Sequence, residues 1–252
     1  MSAQPTFLGI RLQPDVAAIV KDVEAKTGTK IRCEFIEQPD SLLGSSFIDD
    51  DGSAVVLIDT SVGNDKRKLE AIIIHELLHL RLRVNNYPTF IFSPIVRMAR
   101  GRAIDTEQGN VNDLKDLIEH RVFKADIERF GVYKFIDLAG DTASGAKRRK
   151  GQMDGQADAI NYARAILEYQ NERDISEVKQ IYLAHGWMRS LQVGQDIADI
   201  ISRTRPQTIK DVETVFLSCL LKLYPSSRGS NTFKLTIDKS NRFFRRLVIS
   251  TV

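Results

Sequence analysis

The sequence predicts an α+β protein, with a mixed core over about the first 140 residues and a mainly helical region after it. Three observations point that way. Apolar runs at 30–37, 45–48 and 54–58 are short and bounded by turn residues, as strands are. The segment 65–84 is long, strongly apolar and free of Gly and Pro, as a helix buried on most sides would be. Beyond residue 156, apolar residues recur at helical spacing over long stretches.

The elements follow in order. Val16, Ile19, Val20 and Val23 share one face of a helix over 14–26, and Gly28 is placed to stop it. Ile31, Cys33 and Phe35 alternate along a half-buried strand, and Asp50, Asp51 and Gly52 mark a turn before the apolar strand 54–58. Asn64 is the expected N-cap of the helix 65–84, and Asn85, Asn86, Tyr87 and Pro88 end it. A short helix is expected over 91–100, a loop over 101–109 and a second long helix over 111–129, closed by Gly131. Residues 141–155, rich in Gly, Ser, Ala, Lys and Arg, form the expected linker between a core at 1–140 and a mainly helical region at 156–252. Three helices are expected there, over 157–172, 175–201 (with breaks available at Gly186 and Gly194) and 209–223. A hairpin, or a strand and helix, completes the chain from 232.

Composition bounds the class. With 252 residues, 42% hydrophobic and 27% charged, the chain is an ordinary globular sequence. It contains no apolar run of the roughly 20 residues a membrane helix needs, so no membrane association is expected. The start lacks a basic segment followed by an apolar one, and the cytoplasm is the expected compartment. Cys33 and Cys219 are far apart and outside any CxxC pair, which favours free thiols in a reducing setting. A net charge of +3 is mild. Lys147, Arg148, Arg149 and Lys150, and separately Arg242, Arg245 and Arg246, read more simply as solvated faces than as a nucleic-acid surface.

The chemistry is concentrated in His75-Glu76-Leu77-Leu78-His79, an H-E-x-x-H pattern inside the predicted helix 65–84. Residues four apart share a helix face, so both imidazoles can converge on one ion, and zinc takes imidazole nitrogen at roughly 2.0–2.1 Å. Glu76, beside the first histidine, is placed to take a proton from a water that the metal activates. Only four histidines occur in the chain, so two at this spacing around a Glu is informative. Burying two imidazoles and a carboxylate in so apolar a segment costs free energy unless something pairs them.

These residues, preceded by the apolar strand Ala54-Val55-Val56-Leu57-Ile58, resemble the zincin metallopeptidases. The order helix, strand, strand, motif helix is also similar to the small bacterial ImmA/IrrE-like members, over roughly residues 30 to 130. The resemblance implies a small sheet packed on the motif helix, a second helix bearing a metal ligand, a Zn2+ cofactor and a protein or peptide substrate. It implies His75 and His79 as metal ligands and Glu76 as the catalytic base.

A catalytic zinc needs a third protein ligand. The HExxHxxGxxH extension is absent, because Leu80 to Asn85 contain no histidine. The resemblance to gluzincins points to a carboxylate on the next long helix, hence Glu119, with the adjacent His120 as the alternative third ligand. Where those enzymes place an Asp four residues later, this chain has Phe123, and Asp116 or Asp126 are the candidates to orient a ligand imidazole. Tyr133 and Arg121 are conceivable oxyanion donors, and His185, beside Trp187, reads as a structural histidine. Two further readings stand beside hydrolysis. One is a zinc-binding regulatory or interaction module with a latent site; the other is a nucleic-acid-associated protein using the basic runs.

Overall fold

The structure is a computed structural model that describes residues 4–37, 43–49, 51–92, 103–137, 142–148, 155–169, 171–225, 233–239 and 245–251. In chain order its first elements are strands β1 (Thr6–Phe7) and β2 (Ile10–Arg11), helix α1 (Pro14–Thr27), strands β3 (Arg32–Ile36), β4 (Gly44–Ile48) and β5 (Ala54–Asp59), and helix α2 (Lys66–Val84). Strand β6 (Thr89–Phe92) and helices α3 (Ala103–Val122), α4 (Lys124–Phe130) and α5 (Thr142–Arg148) follow. Helices α6 (Gln156–Glu168), α7 (Glu172–His185), α8 (Met188–Thr204) and α9 (Ile209–Leu223) lead to strands β7 (Phe233–Ile237) and β8 (Arg246–Thr251). The protein is therefore mixed α/β and mostly helical.

By internal contacts the chain forms two compact units, each built from separated stretches. The first comprises Met1–Tyr87, Phe123–Ile136 and Lys239–Arg245; the second comprises Pro88–Val122, Asp137–Asp238 and Arg246–Val252.

In the first unit β5 is the middle strand of a three-stranded sheet, parallel to β3 and antiparallel to the edge strand β4. Its position explains its sequence, since Ala54, Val55, Val56 and Ile58 are all buried. Helix α1 stops as expected, with Gly28 at φ 73° donating its N–H to Glu24 O. Helix α2 begins one residue later than expected: its N-cap is Asp65, not Asn64, and the Asp65 carboxylate accepts from the N–H groups of Arg67 and Lys68. Leu69, Ile72, Ile73, Leu77, Leu78 and Leu80 are fully buried around α2, so the helix lies inside the unit rather than on it.

The second unit holds a three-stranded sheet in the order β6-β8-β7, with β6 parallel and β7 antiparallel to β8. Helices α6 and α8 pack closely, because a Cβ at Gly194 would lie 2.6 Å from Ala159 O. Tyr162, Val178, Tyr182 and Trp187 form part of a buried cluster there.

Several expected elements differ. The helix anticipated at 91–100 is, over its described part, the end of strand β6; Thr89, Phe90, Ile91 and Phe92 are β-branched or aromatic, and Phe90 is buried. Residues 93–100 lie outside the described residues. The loop at 101–109 is taken up from Ala103 by α3, and the single helix over 111–129 is two, broken at Phe123. The linker at 141–155 carries α5 at Thr142–Arg148, with 149–154 outside the described residues. The helix expected over 157–172 ends at Glu168, and Asn171 caps the next one. The break at Gly186 is the one used, with φ 74°. The chain end supplies β7 and β8 as an antiparallel pair. Cys33 and Cys219 are free thiols. Among the described residues no helix is long and apolar enough to cross a membrane.

Candidate metal centre

Helix α2 brings three of the expected residues together in the first unit. Spacing alone would put the two imidazoles on one face; the structure adds that they converge, with His75 Nε2 and His79 Nε2 3.3 Å apart. Their rings meet edge to face, with centroids 4.7 Å apart and planes at 86°. Two nitrogens held about 2.05 Å from one ion at a tetrahedral angle stand about 3.3 Å apart. The pair thus has the separation that two ligands of one zinc ion need.

The tautomers fit as well. His75 Nδ1 lies 3.0 Å from Glu76 Oε1. A carboxylate can only accept, so Nδ1 carries the proton and Nε2 presents its lone pair toward the shared point. A carboxylate on the far nitrogen of a ligand histidine fixes the ring and raises its basicity.

Glu76 is 5% exposed and His79 is 5% exposed. Burial on its own pushes the Glu76 carboxyl up. The hydrogen bond from His75, the positive character of His75 and His79, and a smaller effect of Ser46 outweigh it and bring the carboxyl down to about 2. Ser46 Oγ, on β4, is itself buried without a well-formed hydrogen bond. Gly44, on the same strand, lets β4 lie directly on the helix: a Cβ there would sit 2.6 Å from Ile72 Cγ2 and 3.2 Å from Glu76 Oε1. Phe123 closes another side, its ring centroid 5.0 Å from that of His79 and 6.3 Å from that of His75.

Glu119 and His120 lie on α3, in the second unit, and both are buried. His120 Nδ1 is 3.1 Å from Glu168 Oε1 on α6, a contact between two side chains that are almost wholly buried. Glu119 Oε2 lies 3.8 Å from Lys115 Nζ. By chain connectivity both residues precede Phe123 by about one helical turn.

Asp126 is held by Arg81 and, at 2.9 Å, by Arg129, while Asp116 lies 3.1 Å from Lys115 Nζ. Glu168 was not anticipated, although an acidic side chain on the apolar face of α6, among Ile160, Ala163 and Leu167, is a readable signal. Tyr133 is half-buried in the 3-10 turn Val132–Lys134, and Arg121 is half-buried on α3. His185 stacks on Trp187 at 4.7 Å in the second unit, the packing role expected of it. Lys147 is engaged at the surface with Glu177, at 2.6 Å; residues 149–150 and 242, of the two basic runs, lie outside the described residues.

No family model matches the sequence, and no curated protein or solved structure matches the chain.

Proposed function

We propose that the protein is a zinc-dependent hydrolase of the zincin type that cleaves peptide bonds, with His75 and His79 as metal ligands and Glu76 as general base. The observation that carries this reading is the converging histidine pair, its nitrogens 3.3 Å apart beside a buried carboxylate. A hydrogen bond between the two imidazoles would span the same 3.3 Å; the buried carboxylate that fixes the His75 tautomer is what favours ligation over it.

The third ligand is proposed on α3. The resemblance favours Glu119. The Glu168 carboxylate on His120 Nδ1 supports His120 instead, because it orients the ring and leaves Nε2 as the donor, the pairing that ligand histidines commonly have. When bound, zinc supplies Lewis acidity, lowering the pKa of water and polarising a substrate carbonyl. The chain's own residues do the rest. Glu76, adjacent to the ligand His75, accepts the proton of the attacking water and returns it to the leaving amine. Phe123 covers the imidazoles with an apolar ring and keeps bulk water from them. The edge strand β4, directly above Glu76, offers backbone groups to an extended peptide.

Elemental analysis tests the site. We expect one zinc per chain, lost in His79→Ala and in one of Glu119→Ala and His120→Ala. Glu76→Gln should retain zinc and lose about 10²–10⁴-fold in peptide hydrolysis. Unchanged hydrolysis in that variant overturns the role of Glu76. Zinc binding with no hydrolysis in the wild type would leave the regulatory module, whose Glu76 serves only to hold His75.

A further inference from the structure

The zinc reading gives Arg83 no work, yet its environment is unusual for an arginine. It is 9% exposed, and its Nη1 is buried with no hydrogen-bond partner among the described residues. A guanidinium does not escape burial by losing its proton, so an unanswered one is costly to keep. Arg81, two residues earlier on the same helix, is answered by Asp126.

Its position supplies a reason. His75, His79 and Arg83 fall four residues apart along α2, so they lie in one row on one face. Each step rises about 6 Å, and side chains on a helix lean toward its N-terminus. From Arg83 that is the direction in which His79 lies. The row reads imidazole, imidazole, guanidinium, with the Arg83 backbone about one turn beyond that of His79.

We propose that Arg83 binds a carboxylate of the substrate, so that the site selects peptides presenting a carboxylate next to the scissile bond. This rests on the hydrolase reading above and names the substrate class it acts on. The planar guanidinium fork matches a carboxylate with two parallel hydrogen bonds, which a neutral amide cannot return. The carboxylate has two sources, the C-terminus of a short peptide or an Asp or Glu side chain within a longer one.

The test is calorimetric binding of three N-acetylated tripeptides to the metal-free full chain. The first ends in a free carboxylate, the second is its amide, and the third is an amide with an internal Glu. The free-carboxylate peptide, the Glu peptide or both should bind roughly ten- to a hundredfold more tightly than the neutral amide, and the pattern identifies the source. Arg83→Met should abolish the preference, and Arg83→Lys should keep only part of it. The Met variant without peptide should melt no lower than the wild type, since it removes an unanswered buried charge. Equal binding of all three peptides overturns the proposal, as does a preference that survives in Arg83→Met. So does loss of the fold in both variants, which would make Arg83 structural. Because the measurement omits zinc, a carboxylate preference in a protein that binds no metal would sink the hydrolase and spare Arg83. Zinc-dependent cleavage without the preference would do the reverse.

Discussion

At the scale of single residues, Gly44 shows how closely the sheet and the catalytic helix are fitted. A methyl group there would meet Ile72 Cγ2 at 2.6 Å and Glu76 Cγ at 3.2 Å, so Gly44→Ala must displace the Ile72 side chain, the strand or the helix. Overpacking of this kind costs about 1–3 kcal/mol, which urea denaturation would measure, and it moves the carboxylate that the chemistry needs. A variant as stable and as active as the wild type would mean that β4 yields freely. The cysteines give a second prediction. Burial raises the thiols of Cys33 and Cys219 to about 12, and Glu34 adds to the effect at Cys33. Both stay protonated at pH 8 and should alkylate slowly in the native protein and fast in urea. A raised folded pKa means that stability is kept below the unfolded value near 8.5 and lost as pH rises above it. What the sequence displayed at this scale was the motif itself, because its chemistry is local. Gly44 and Ser46 were not legible as site residues, since each is recruited from an element distant in sequence, and Glu168 was legible only as an acidic side chain on an apolar helix face.

Helices with strong local signals were legible almost to the residue. Helix α1 with Gly28, and α9 with its boundaries at Ile209 and Leu223, carry their own start and stop chemistry. In α9 the Thr208 hydroxyl accepts from Asp211 N–H while the Asp211 carboxylate accepts from Thr208 N–H, a capping box. Those bonds lower the Asp211 pKa, so the cap supports the helix above the ordinary carboxylate range and weakens as pH falls through and below it. Thr208→Ala should cost about 1 kcal/mol at neutral pH by thermal unfolding. Elements whose identity is set by tertiary partners were misread. Strand β6 looked helical in isolation and becomes a strand because β8 pairs with it, and the break at Phe123 has no Gly or Pro to announce it. Gly194 illustrates the same tension. In an isolated helix Gly→Ala gains about 1 kcal/mol, but here the new methyl lands 2.6 Å from the Ala159 carbonyl, an atom of the backbone that cannot turn away. Gly194→Ala should therefore destabilise the protein.

Across the whole molecule, sequence order and spatial grouping diverge. The first unit interleaves three stretches of chain and the second another three, and β6 finds its partner in β8 at the far end of the sequence. A cut made at a polar, Gly-rich run could not anticipate this, because composition reports where a chain is solvated and not which stretches pair. The histidine pair, by contrast, exists wherever α2 is folded, and this yields a prediction for the molecule as a whole. Unfolding disperses the two nitrogens that stand 3.3 Å apart, so zinc should bind the folded chain in preference to the unfolded one. At a free concentration about one hundred times its Kd, it should add about 2.7 kcal/mol of stability, seen as a rise in Tm reversed by a chelator. Ligation needs neutral imidazoles, so the increment should shrink as pH falls through the range where free imidazole takes its proton, about 6.5. His79→Ala should melt at one temperature with or without zinc. A zinc-dependent rise in that variant would place the metal elsewhere in the chain, and the converging pair on α2 would then be a hydrogen bond between two histidines rather than the seat of the chemistry.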